Sequence, residues 1–174
     1  MVVSKQLVKA LWIAVGLAVF AARTVGFASD VRTVAMNDQC DPESFNAAIG
    51  PGTCVNNGGV SFDTFITELM NTQHAGAWSF APGEARLRDG QAVQAENNGG
   101  EVHTFTEVDQ FGGGIVPPLN ALSGNPVPAP ECLQLGAGDF IPPGGQSAPD
   151  SEEPGVHHYQ CCIHPWMRAD VIVR

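Results

Sequence analysis

The stretch that decides the fold is residues 155–174, which read GVHHYQCCIHPWMRADVIVR. Side chains from Gly155 to Cys161 alternate as they do in a strand, and Asp170–Val173 is rich in the β-branched residues that strands favour. Pro165 lies between the two runs, where its fixed φ and its missing N–H favour a turn. The segment therefore predicts two strands joined by a tight loop.

This loop carries three soft metal ligands at regular spacing: Cys161, His164 and Met167. A continuous strand would point them to opposite faces, so only a loop can gather them around one ion. Thiolate, imidazole and thioether are the ligand set of a blue-copper electron-transfer site, which needs one more histidine. From the residues alone, Cys161 could instead form a structural disulfide, Met167 could be a core residue, and Cys162 competes as the thiolate.

The fourth ligand has to come from a distant part of the chain, because three ligands on one loop cannot surround a metal. His103 is the best candidate, in a segment from Val102 to Val108 whose alternation suits a sheet. Gly99 and Gly100 precede it and suit a tight approach of the backbone. The alternative is that His103 is a surface histidine on a strand.

With these motifs in hand, the chain resembles the cupredoxins, the superfamily of plastocyanin, amicyanin and azurin. The loop spacing is similar to that of amicyanin, and residues 78–82 with the later Asp89-Gly90 resemble the stretch before the family's first histidine. The matches cover about half of the chain, roughly residues 78–108 and 155–174. The resemblance selects Cys161 rather than Cys162 as the thiolate.

The resemblance implies an all-β fold, an antiparallel Greek-key β-sandwich, that binds one type 1 copper ion. In the implied site, His103, Cys161 and His164 form a trigonal plane, and Met167 is the weak axial ligand. It also implies that the backbone N–H of Thr104 donates to the Cys161 sulfur.

The implied function is one-electron transfer between redox partners, without enzymatic activity. His164 would expose its ring edge and pass the electron, with Trp166 beside it as a candidate docking residue. The net charge of −10 argues against binding to nucleic acid or to anionic membranes and fits a basic partner, such as a c-type cytochrome. The alternative is a copper-binding and delivery protein, and a third reading is a metal-free secreted interaction module. Copper enzymes need more histidines than remain, which are His74, His157 and His158.

The first 28 residues are predicted to be a signal peptide, which makes the mature chain periplasmic or secreted. Lys5 and Lys9 precede an apolar run from Ala10 to Ala22, and small residues follow at Gly26 and Ala28. The run is short against the roughly 20 residues of a spanning helix. An uncleaved signal that leaves the chain membrane-associated is the alternative.

With Cys161 assigned to copper, four cysteines remain, which allow three pairings. Cys40–Cys54 is the preferred pair, because it is local and flanked by turn residues. Cys132–Cys162 follows by subtraction and would tie the preceding loop to the back of the ligand strand.

Three regions are expected after this reading: the signal at 1–28, an N-terminal extension at 29–77 and a cupredoxin domain at 78–174. The extension should hold a strand near 31–36 and short helices near 41–49 and 61–70, with apolar faces packed on the sandwich. A Gly- and Pro-rich loop at 111–154 falls between the two ligand regions, where it could line the approach to the metal.

Overall fold

The computed structural model describes residues 30–174. The predicted signal peptide at 1–28 lies outside the described residues, and the domain boundaries stay a prediction. Within residues 30–174, no helix is both long enough and apolar enough to cross a membrane.

In the described part of the chain, seven strands form two sheets that face each other. The first sheet has the order β2-β1-β4, and the second has the order β3-β7-β6-β5. The bounds are β1 Val31–Asn37, β2 Ser79–Ala81, β3 Glu84–Leu87, β4 Ala92–Asn97, β5 Thr106–Val108, β6 Gly155–Gln160 and β7 Arg168–Val173.

The predicted all-β sandwich is confirmed, but its sheets are mixed rather than purely antiparallel. β1 runs parallel to β4, and β3 runs parallel to β7. Parallel neighbours require a long crossover connection, and both pairs have one: two helices and two short strands lie between β1 and β4, and residues 88–167 lie between β3 and β7.

The core lies between the sheets, and the alternating side chains of the C-terminal strands fill much of it. In β7, Ala169, Val171 and Val173 are buried while the residues between them are partly exposed. Tyr159 on β6 is buried opposite Ala169 and stacks on Phe105, with ring centroids 4.2 Å apart. Burial thus alternates along β7, whereas along β6, where the sequence indicated alternation, it increases from the exposed Gly155 to the buried Gln160.

Two helices precede the second strand, at the positions that the sequence predicts. Asp41 caps α1 (Pro42–Ala48) by accepting from the Ser44 N–H at 2.9 Å, and Ser61 caps α2 (Phe62–Thr72). Their apolar faces meet the end of the sandwich: Phe65 packs against Trp78 with ring centroids 4.5 Å apart. The helices thus cover the end at which the predicted ligands lie.

The long segment at 111–154 is only partly irregular. It contains α3 (Pro117–Leu122) and two short 3-10 helices, Pro130–Gln134 and Ala137–Asp139. Its last part runs along β4, where the Ser147 N–H donates to the Ala95 carbonyl at 2.9 Å. The segment also pairs Ile141 with His103 through two backbone hydrogen bonds, so it extends the first sheet and holds one predicted ligand.

Candidate metal centre

The structure brings three of the four predicted ligands together at one end of the sandwich. The Cys161 Sγ lies 3.8 Å from the Nδ1 of His103 and 3.8 Å from the Nδ1 of His164, and the two Nδ1 atoms are 3.2 Å apart. All three side chains are buried. Two imidazole nitrogens and one thiol sulfur therefore converge on a single point.

The size of this triangle fits a metal ion. A triangle with edges of 3.8, 3.8 and 3.2 Å has a circumradius of about 2 Å, close to the metal–nitrogen and metal–thiolate bond lengths of zinc sites. Soft thiolate with imidazole also selects a borderline or soft metal such as copper. The residues present thus fit the ion that the sequence implies.

A tight turn after β6 places the C-terminal ligands. The Cys161 N–H donates to the Met167 carbonyl at 3.0 Å, and the Met167 N–H donates to the His164 carbonyl at 2.9 Å. Met167 itself is buried. The turn closes as the loop reading predicts, and the axial role of the Met167 sulfur remains a prediction.

The cysteines pair as predicted. Disulfides join Cys40 to Cys54 and Cys132 to Cys162, and Cys161 is the free cysteine of the described residues. A structural disulfide at Cys161 and a ligand role for Cys162 are both excluded by this pairing.

The surroundings of the Cys161 sulfur stabilise its thiolate form. The backbone N–H groups of Thr104 and His164 point to it at 3.4 and 3.5 Å, and the first of these is the contact implied by the cupredoxin resemblance. Burial alone raises the pKa of this thiol, but the imidazoles of His103 and His164 lower it well below its ordinary value. The site therefore favours the charged form that binds metals.

His103 is held from behind by a buried carboxylate. Its Nε2 lies 2.9 Å from Asp38 Oδ2, and both side chains are inaccessible to solvent. Burial raises the pKa of Asp38, but hydrogen bonds from His103 and from three backbone N–H groups outweigh it and hold the pKa at about 2. Burial lowers the pKa of His103, but Asp38 and Cys161 raise it to about 9. A metal bound at His103 Nδ1 would have to displace a proton.

The predicted tight approach of the two glycines explains how a carboxylate fits there. A Cβ at Gly99 would lie 2.0 Å from Asp38 Oδ2. The N–H of Gly100 donates to that same oxygen at 2.8 Å. Only a residue without a side chain lets this backbone close over Asp38.

His164 also faces a carboxylate. Its Nε2 lies 3.6 Å from Glu101 Oε2, which accepts a hydrogen bond from the Trp78 Nε1 at 2.6 Å. Burial raises the pKa of Glu101, and the nearby His164 and the Trp78 hydrogen bond only partly offset this. Each ligand imidazole is thus backed by one acidic side chain.

Two expectations about exposure are wrong. His164 is only 2% exposed and Trp166 only 7%, so neither offers a surface for docking. Phe65 of α2 lies over both rings, and the Trp166 Nε1 donates to the Ala75 carbonyl at 3.2 Å. Helix α2 therefore covers the end of the sandwich that the resemblance left open.

The histidines not assigned to the metal lie elsewhere. His74 is exposed, and His158 pairs with Asp170 at 2.7 Å on the outside of the sheet. His157 is partly buried, and its Nδ1 lies 2.7 Å from a carboxylate oxygen of Glu107.

Sequence reasoning missed Asp38, Glu101 and the cover formed by Phe65. Glu101 had a signal, since an acidic residue two positions before a ligand histidine lies close to the site. Asp38 had none, because its contact with His103 spans 65 residues of sequence.

No protein-family model matches the chain, and no curated protein matches it. Among solved structures, the chain is similar to a purple cupredoxin from Nitrosopumilus maritimus, at 17% identity and a TM-score of 0.45, covering 82% of this chain and 98% of the other. It is also similar to plastocyanin from Dryopteris crassirhizoma, at 13% identity and a TM-score of 0.39, covering 82% of this chain and all of the other.

A reduced amicyanin mutant is similar as well, at 18% identity and a TM-score of 0.37, covering 57% of this chain and 76% of the other. All three proteins are of the class that the sequence resembles. With TM-scores below 0.5, however, they carry no argument about the ligands or the activity of this chain. A metal centre is supported by the arrangement of His103, Cys161 and His164 in this chain.

Proposed function

We propose that this chain is an exported mononuclear type 1 copper protein that carries single electrons between redox partners. The observation that carries the proposal is the convergence of His103 Nδ1, Cys161 Sγ and His164 Nδ1 within 3.2 to 3.8 Å of one another. Two disulfides fit the oxidising compartment to which an exported chain is delivered.

When bound, copper would supply a one-electron couple between Cu(II) and Cu(I). The chain's own residues would do the rest. Cys161 provides a thiolate that two backbone N–H groups stabilise. His103 and His164 each provide a ring nitrogen, and Asp38 and Glu101 respectively hold the orientation of these rings. Because the core and a disulfide-linked turn hold the ligands, their positions would change little between the two oxidation states.

The same rigidity favours a carrier over a copper-delivery protein. A delivery site has to hand its ion to an acceptor, which requires a ligand that another protein can reach. Here all three ligands are buried, and Phe65 and Trp166 lie over His164. We therefore expect slow release of the metal and fast transfer of electrons.

A visible spectrum of the copper-loaded chain tests the proposal. The Cu(II) form should show an intense thiolate-to-copper charge-transfer band, and ascorbate should bleach it reversibly. Cys161→Ser should abolish the band, while His158→Gln, a matched change outside the site, should leave it intact. A colourless Cu(II) form of the unmodified chain would refute the copper centre, and irreversible voltammetry of a blue protein would refute the carrier role.

A further inference from the structure

Although His164 is buried, its side chain lines an apolar cavity. The cavity has a volume of about 330 Å³ and lies between α1, α2 and α3, with Glu101 and His164 among its lining residues. The rest of its wall is mainly aromatic and aliphatic, including Phe45, Phe62, Phe65, Ile66, Leu122 and Ile163. An engineered cavity of about 150 Å³ binds benzene, so this one has room for a substituted single ring.

Glu101 brings a carboxyl group to the wall of this apolar cavity. The Glu101 side chain is 7% exposed, and its Oε2 is taken by Trp78 and lies near His164. Its Oε1 accepts no hydrogen bond from any residue in the range 30–174, and it is not among the fully enclosed unpaired atoms. Because Oε1 has free lone pairs and is not fully enclosed, a ligand hydroxyl in the cavity can donate a hydrogen bond to it.

We propose that this cavity binds a single-ring phenol or hydroquinone, with the ring between the aromatic walls and the hydroxyl donating to Glu101 Oε1. Aromatic rings pack favourably edge to face against such walls. A few convergent polar groups in an apolar pocket are what orients a small ligand. The Phe65 ring, which lines the cavity, lies 6.5 Å from the His164 ring in an edge-to-face arrangement.

This inference rests on the proposed copper function and adds the class of electron donor: a small hydroquinone that binds in the cavity. A hydroquinone bound beside His164 would give one electron to Cu(II), lose one proton to water and leave as a semiquinone. The semiquinone would give its electron to the Cu(II) of a second protein molecule, lose its remaining proton to water and become a quinone. A small reductant would then enter where a docking protein cannot reach.

Binding is tested first, with the redox-inert probe p-cresol and the full chain in its reduced form, by calorimetry. We expect one p-cresol to bind per chain. Toluene lacks the hydroxyl, so we expect it to bind about tenfold more weakly. Ile66→Trp fills the cavity and should abolish binding. Met70→Trp, one turn along the same helix but 68% exposed, should bind as the unmodified chain does.

Several results would overturn the proposal. They are no binding of p-cresol, binding of toluene as tight as that of p-cresol, binding of p-methylbenzylamine tighter than that of p-cresol, or undiminished binding of p-cresol to the Ile66→Trp variant. Circular dichroism checks that Ile66→Trp is folded, and Leu122→Trp fills the cavity from the opposite wall if it is not. Reduction of the Cu(II) chain by hydroquinone should saturate with concentration, and it should lose saturation in Ile66→Trp but not in Met70→Trp. If the chain shows no blue band, the copper function fails, yet p-cresol binding to the metal-free chain still decides the cavity.

Discussion

Replacing Asp38 by asparagine tests whether a buried carboxylate sets the reduction potential of the proposed copper centre. Asp38 lies 2.9 Å from His103 Nε2 and is inaccessible to solvent. Its negative charge stabilises Cu(II) more than Cu(I), because the oxidised ion carries one more positive charge. Asp38→Asn keeps the shape and removes the charge, so the potential should rise.

The size of the rise follows from the distance. A metal–nitrogen bond of about 2 Å, the width of the imidazole ring and the 2.9 Å hydrogen bond together put the carboxylate about 7 Å from the metal. At an effective dielectric constant of about 20, one unit charge at that distance is worth roughly 2.4 kcal/mol. Since about 2.3 kcal/mol corresponds to 100 mV per electron, the expected shift is about +100 mV.

Protein-film voltammetry measures this shift directly. Asp89→Asn is the control, because Asp89 is exposed in the turn after β3, far along the sandwich, where charges beyond about 10 Å are largely screened. Asparagine also disturbs the four hydrogen bonds that Asp38 accepts, so an intact blue band must first show that the site is assembled. An unchanged or lower potential in a blue Asp38→Asn protein would refute the electrostatic reasoning.

Three further outcomes follow from the packing, the disulfides and the charges. Phe65→Ala should lower the free energy of unfolding by about 3–5 kcal/mol in urea titrations and speed electron self-exchange measured by NMR, because it uncovers the ligand imidazole; unchanged exchange would contradict the cover. Replacing both Cys40 and Cys54 by alanine should cost about 3 kcal/mol in the same titrations and leave the visible band in place, whereas a lost band would show that this disulfide also shapes the site. Burial lowers the pKa of His157, but the hydrogen bond to Glu107 outweighs it and raises this pKa above the ordinary 6.5. The pair therefore stabilises the folded state below about pH 6.5, and this stabilisation is lost as the pH rises through the raised pKa. His157→Gln should flatten this fall in melting temperature above about pH 6.5, and an identical pH profile would count against the pair.

Local sequence signals predicted the elements that depend on local physics. The caps at Asp41 and Ser61 define helices whose starts depend on a few neighbouring atoms. The β-branched run at the C-terminus forms β7. The loop of Cys161 also follows from short-range spacing, because its turn closes over only seven residues.

Contacts between distant segments were not predictable in the same way. The parallel pairing of β1 with β4 and the covering of His164 by Phe65 depend on where the chain returns after long connections. The resemblance supplied an exposed histidine because it covered about half of the chain, and the segment that buries His164 lies in the other half. A motif fixes the chemistry of its own residues but not what the rest of the chain places over them.

Cys161 and Cys162 are neighbours in sequence, yet one is free and the other is in a disulfide with Cys132. During oxidative maturation both thiols compete for the same partner, and the wrong choice would spend the metal thiolate on a crosslink and leave its neighbour unpaired. Thiolate reactivity controls such exchange, and in the folded chain the imidazoles of His103 and His164 lower the pKa of the Cys161 thiol against the effect of its burial. Oxidation of the chain to the Cys132–Cys162 disulfide leaves Cys161 free for a metal, so the yield of metal-binding protein should depend on which of the two neighbouring thiols is oxidised.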